Sequence, residues 1–221
     1  MRTKLVNILC DLKLFSFLRP LFYLWGCRFR INKHNHFLKN RCIFIKCRFH
    51  VSGKNNLINI KDGSFFEHSN IHIRGNNNKI VIEKNAYAND LTIVVENDNN
   101  EIHIGENFFV CGKTRLYVVD GSKLSFGSDC MLSDNIEIRT TDNHAIHDLM
   151  TGKRINPEED ISIGNHVWIG MGATVLKGVS IADGCILGAK SIVTKSIEET
   201  NCCIVGCNRI AKRNVTWTMS R

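Results

Sequence analysis

Proline is nearly missing, with two residues in 221 beside sixteen glycines, which argues against a disordered or collagen-like chain. No Cys-x-x-Cys pair occurs among the ten cysteines, so a structural zinc site is not expected. Several thiols instead stand singly in aliphatic segments, Cys130 and Cys185 among them, where a small buried thiol suits a core. The N-terminus lacks the compact apolar region and small-residue cleavage site of a signal peptide. Together these absences predict a reducing, cytoplasmic compartment. No uncharged run approaches the ~20 residues of a membrane-spanning helix. The apolar opening, TKLVNILCDLKLFSFLRPLFYLWGCRFR, is broken by Lys4, Asp11, Lys13 and Arg19. Residues 1–35 are therefore expected to form an apolar, basic helical segment. Two roles stay open for it: lying on a membrane surface with its cations toward headgroups, or capping the open end of the main domain.

What is present is positive charge and a repeat. The net charge of +8 favours anionic partners: nucleic acid, acidic lipid, acidic polysaccharide or a phosphate-bearing cofactor. A solvated basic surface is the plain alternative. Nucleic acid has charge in its favour and nothing else, since no recognised motif and no row of aromatics interleaved with base accompanies it.

Sliding the chain by 22 residues brings four blocks into register, beginning at Ile58, Ile80, Ile102 and Leu124. Their third positions read Ile60, Ile82, Ile104 and Phe126, and each block ends near a polar tetrapeptide: GNNN, NDNN, VDGS, TDNH. Fixed-period self-similarity marks a solenoid whose coils bury their apolar sides against one another. Short alternating β-formers lie between turn residues, and no helical periodicity survives, so each block reads as one coil of parallel β-structure.

From Ile163 the period becomes six. Ile163, Ile169, Val175, Ile181, Leu187 and Val193 fill one column, and Val167, Ala173, Val179, Cys185, Ser191 and Ile197 a smaller one. Such a pattern suits a triangular coil of 18 residues, and the 22-residue coil is that turn plus four at one corner. The register puts Asp142, Asn143 and His144 at this corner, where AIHDLMTGKRINPEED leaves as a long excursion before the coils resume. A long loop on a rigid scaffold is where function concentrates.

The segment VWIGMGATVLKGVSIADGCILGAKSIVTKSI, Val167 to Ile197, resembles the hexapeptide-repeat acyltransferases. TDNHAIHDLMTGKRINPEEDISIGNHVWIG, Thr141 to Gly170, is similar to the branch that acetylates sugars, including capsule and lipopolysaccharide O-acetyltransferases. The likeness runs from about Ile58 to Trp217. It implies an all-β, left-handed parallel β-helix over residues 36–200. A short N-terminal helical segment precedes it, a long loop leaves it at 140–160, and a tail follows at 201–221. It also implies a homotrimer, with acetyl-CoA as acyl donor in a groove between neighbouring coils and no metal.

Acetyl transfer to a hydroxyl needs a base for the alcohol proton and donors for the oxyanion. An imidazole titrating near pH ~6.5 removes a proton at neutral pH without tuning. The resemblance assigns that base to His144, and Asp142 is the candidate to hold its ring. Relatives often orient this histidine with an asparagine on the preceding coil, and the alignment puts Cys111 there. Trp168 corresponds to the wall of the pantetheine arm, and the Met171 N–H to the oxyanion donor, with Gly170 and Gly172 permitting close approach. Ala189, Thr194 and Lys195 correspond to the CoA groove, and Arg209, Lys212 and Arg213 could join Lys195 on its phosphates. Asn143, His147 and Cys111 are candidates for the acceptor, with His147 the next choice as base. The tail IVGCNRIAKRNVTW lacks the proline that relatives carry after a Gly-Asn pair.

The function expected is acetyl-CoA-dependent O-acetylation of a sugar hydroxyl in a bacterial surface polysaccharide or its precursor, acidic or neutral. Basic charge and the N-terminal segment fit a glycan growing at the cytoplasmic face of the inner membrane. Alternatives are N-acetylation of an amino sugar and a non-catalytic polysaccharide-binding scaffold. A β-helix carbonic anhydrase would need His144, His147 and His166 as ligands, and their spacing is wrong for it.

Overall fold

The computed structural model describes residues 24–219, and all regular elements in that range are strands. They form three sheets, here A, B and C, of ten, eight and seven strands, parallel except for the last strand of A. The chain visits A, B and C in turn, giving a left-handed β-helix of about eight turns.

The sequence columns are the ladders of these sheets. Ile58, Ile80, Ile102 and Leu124 pair in succession in sheet C, followed by Ile161 after the excursion. All five are at most 1% exposed, and both hexad columns are buried as well. Fully burying each such side chain contributes about 1.5–3 kcal/mol, so stacked aliphatics supply most of the stability.

The polar tetrapeptides turn the chain from B to C. Asn55, Asn77 and Asn99 take positive φ there, which asparagine tolerates better than most residues. Beside them Asn56, Asn78 and Asn100 are buried and form an amide ladder, Asn78 Nδ2 donating to Asn56 Oδ1 at 3.0 Å and Asn100 Nδ2 to Asn78 Oδ1 at 2.8 Å. Satisfied in this way, the buried amides have their desolvation cost offset and fix the register. The ladder ends at Ser122 and Thr140, whose hydroxyls lie 2.6 Å apart, and the excursion leaves just beyond.

Three expectations change. The repeat of 22 slips to 23 within sheet B, where Leu91 to Glu96 pair with Thr114 to Val119. The A-to-B turn through Cys111, Gly112 and Lys113 has one residue more, and the next corner one fewer. Second, residues 24–35, expected in the helical segment, are strand and turn of the first coil: Leu24–Trp25 joins sheet A and Arg28–Ile31 joins sheet B. Aromatic stacking draws them in, Phe29 lying 4.9 Å from Phe49. The rest of that segment, with its membrane or cap role, lies outside the described residues. Third, the tail begins as a strand: Cys203–Val205 extends sheet A, and Arg209–Lys212 turns back antiparallel against it. Among the described residues no helix is long and apolar enough to cross a membrane.

Candidate active site

The excursion leaves the B-to-C corner after the strand Ile136–Arg139 and returns at Ile161–Ile163. Its tip is a hairpin. His147 and Arg154 form an antiparallel bridge, and Asp148 Oδ1 accepts from the amides of Met150 and Thr151 at 3.1 and 2.7 Å. His147 Nδ1 lies 3.0 Å from the Gly152 carbonyl, which can only accept, so Nδ1 carries the proton and the ring is committed to the hairpin.

At the mouth, one amide organises three residues. Asn156, 8% exposed, donates from Nδ2 to Asp142 Oδ2 and to the His144 carbonyl, both at 2.9 Å, and accepts from the Ile146 N–H at 2.6 Å. Lys177, on the coil that follows the loop, pairs with Asp142 Oδ2 at 2.6 Å and donates to the Pro157 carbonyl at 2.8 Å. Lys177 first, then Asn156, hold the Asp142 carboxyl below the usual carboxylate range, so it stays ionised. Glu158 accepts from Thr141 Oγ1 and from Arg154, closing the other side of the mouth. The backbone of His144 is thereby fixed, while its imidazole is exposed and has no hydrogen-bond partner among the described residues. Asp142, expected to hold that ring, is engaged by Lys177 and Asn156 instead.

The remaining candidates divide between two corners. Thr194 and Lys195 follow sheet B and lie at the His144 corner, where Asn208 Oδ1 accepts from both amides. Gly170, Met171, Gly172 and Ala189 lie at the A-to-B corner, and Trp168 faces outward from sheet A beside it. A Cβ on Gly170 would come within 2.6 Å of the Leu187 carbonyl oxygen, so close packing of coils requires glycine there. The Met171 side chain is 52% exposed, and its N–H finds no acceptor among the described residues. Trp168 Nε1 donates to Ser133 Oγ, and its ring lies 6.2 Å from that of Trp217. Cys111 belongs to this second corner, its N–H bonded to the Leu132 carbonyl, and is not beside His144. Within one chain, sheet B separates His144 from Met171.

His166 stacks on Trp217 with ring centroids 4.4 Å apart, at the C-to-A corner. The three histidines of the zinc reading therefore do not gather, and no group of three or more potential ligands does so among the described residues. Asn156, Lys177 and Glu158 were missed by sequence reasoning. Only the register across the excursion reveals Lys177, and nothing in the loop singles out Asn156 beyond the proline after it.

Residues 160–195 match the family model described as bacterial transferase hexapeptide (six repeats). Over 61 residues the chain is 51% identical to the polysialic acid O-acetyltransferase of Neisseria meningitidis, a match covering 28% of each protein. It therefore spans little more than a quarter of that curated relative. Solved structures match further. The polySia-specific acetyltransferase NeuO superposes with a TM-score of 0.81 at 30% identity, over 88% of this chain and 90% of that one. The polysialic acid O-acetyltransferase OatWY gives 0.70 at 32%, over 89% of both.

Proposed function

The chain belongs to the hexapeptide-repeat acyltransferases, in the branch that O-acetylates sugars, and on that premise we propose that it carries acetyl from acetyl-CoA to a sugar hydroxyl of an acidic surface polysaccharide. His144 is the general base. It takes the hydroxyl proton as the oxygen attacks the thioester carbonyl carbon, and the Met171 N–H meets the oxyanion. The C–S bond then breaks and the proton on His144 passes to the departing sulfur, so atoms and charge balance. Asn156 and Asp142 position the base through its backbone.

His144 and Met171 sit at different corners of one chain, so the site is completed between copies in a homotrimer. An apolar outer column on sheet A, running through Phe65, Tyr87, Phe109, Met131, Trp168 and Ile186, supports that packing. Trp168, Gly170 and Gly172 would border the thioester, with Ala189, Thr194 and Lys195 along the rest of the donor. Arg209 and Lys212, both exposed, are available to its phosphates, and Arg213 would join them on leaving Glu199, with which its Nε pairs at 2.9 Å. Acetylation then precedes export, on the cytoplasmic side.

The observation that carries this reading is the exposed, unengaged imidazole of His144 on a backbone held by Asn156. Incubating the protein with labelled acetyl-CoA and a panel of capsule polymers and amino-sugar nucleotides tests it. Label that enters a polymer and is released by mild alkali is an ester and supports the proposal. Alkali-stable label means an amide and sinks the hydroxyl acceptor.

A further inference from the structure

The outer face of sheet B gathers positive charge. Outward residues of successive strands stack in files, Arg28, Arg48, Asn70, Thr92 and Arg115 in one and Arg30, His50, His72, Val94, Tyr117 and Arg139 in the next, so basic residues occupy the first rungs and return beyond two neutral ones. The strands of this face hold two outward acids, and both are taken. Glu96 pairs with Arg74 and accepts from the Tyr117 hydroxyl, and Glu137 pairs with Arg139. Arg28, Arg30, Arg48 and Arg115 have no carboxylate partner among the described residues. His72 registers the same field, since burial first, and then His50, Arg74 and Arg48, hold its imidazole below the ordinary value.

A groove of ≈ 400 Å³ opens in this face, lined by Arg74, Arg115 and Arg139 with Tyr117 and with Glu96, whose carboxylate is held by Arg74 and Tyr117. Asn143 forms part of its lining, one residue before the proposed base. Coils repeat every ~4.8 Å, so Arg48 and Arg115, three rungs apart, present cations at separated points along the solenoid axis. A single small anion would use one rung, whereas a polymer of acidic sugars meets many. Guanidinium suits it, with a planar fork matched to carboxylate or phosphate oxygens.

We propose that this groove, with the arginine files leading to it, is the track for a linear polyanionic glycan. The polymer runs along the solenoid and delivers one hydroxyl to His144. The proposal rests on the acetyl-transfer reading for the last step, but it demands polymer binding at rungs remote from the reacting sugar.

Equilibrium binding of long polysialic acid to the full chain, without acetyl-CoA and across a salt series, tests the track. Neutral dextran serves as the control. Arg48→Gln/Arg115→Gln should bind at least ~10-fold more weakly, with the slope of log affinity against log salt lowered by about one to two, as fewer counterions are released. Both side chains are exposed, so the melting midpoint should stay within a few degrees. Equal affinity in the two proteins overturns the proposal, as does native protein that ignores the polyanion or holds dextran as tightly. If acetyl transfer fails while this binding difference persists, the catalytic reading falls and the track stands.

Discussion

Lys177 Nζ lies 2.6 Å from Asp142 Oδ2, tying the mouth of the excursion to the coil that follows it. This pair and Asn156 depress the folded-state pKa of Asp142, so the stabilisation is present above the ordinary value of 3.8 and is lost as pH falls through the lower folded value. Replacing Lys177 with methionine should raise the folded value toward 3.8. Amide exchange at Asn143 to Ile146 should then accelerate on acidification at a higher pH than in the native protein. Coincident profiles would show that the pair does not hold the mouth.

Asn156→Ala leaves the Ile146 N–H without its acceptor and frees the His144 backbone. If the amide positions the base, kcat for acetyl transfer should fall roughly 10–10²-fold while KM for acetyl-CoA moves by less than about threefold. Parallel loss in both constants, together with a collapsed melting transition, would mean a purely structural role.

Two glycines should answer differently to alanine. A Cβ on Gly75 would sit 2.0 Å from the Asn97 carbonyl oxygen of the next coil, at φ 143. Nothing surrounds Gly152 within 4 Å, though its φ is 69. Gly152→Ala should therefore cost only about 1–2 kcal/mol of local strain and fold normally. Gly75→Ala should split adjacent coils and lower the yield of folded protein severely. Equal melting points would refute the close approach.

Thiol reactivity should follow burial. Burial pushes Cys47 and Cys130 up to about 12, and both are 0% exposed, so native protein should protect them from iodoacetamide. Cys111 and Cys207 are exposed and should be modified before either of them. Peptide mapping after brief alkylation reads the order directly.

Much of this fold was legible because its periods are physical. The Ile58 column and the two hexad columns are rows of side chains that must share an interior, and the asparagine of each tetrapeptide must turn the chain. The corner carrying His144 followed from the same register. What escaped depends on contacts without a period. One extra residue in the turn through Cys111, Gly112 and Lys113 shifted the repeat within sheet B to 23. Charged residues hid the strand Arg28–Ile31, since outward arginines flank Phe29 on a short edge coil. The arginine files became visible only when offsets of 20, 22 and 23 residues were stacked, as from Arg28 to Arg48, Asn70 to Thr92 and Thr92 to Arg115. Asn156 and Lys177 reach the site across a loop whose path the sequence does not give.

Acetyl transfer by this chain turns on His144 as the base. Steady-state transfer of acetyl from acetyl-CoA to polysialic acid should be compared between the native protein and His144→Ala, at matched fold and oligomeric state. The expected result is a fall in kcat of at least ~10²-fold with polymer binding retained. Transfer within a few-fold of native would contradict it and move the base to another residue.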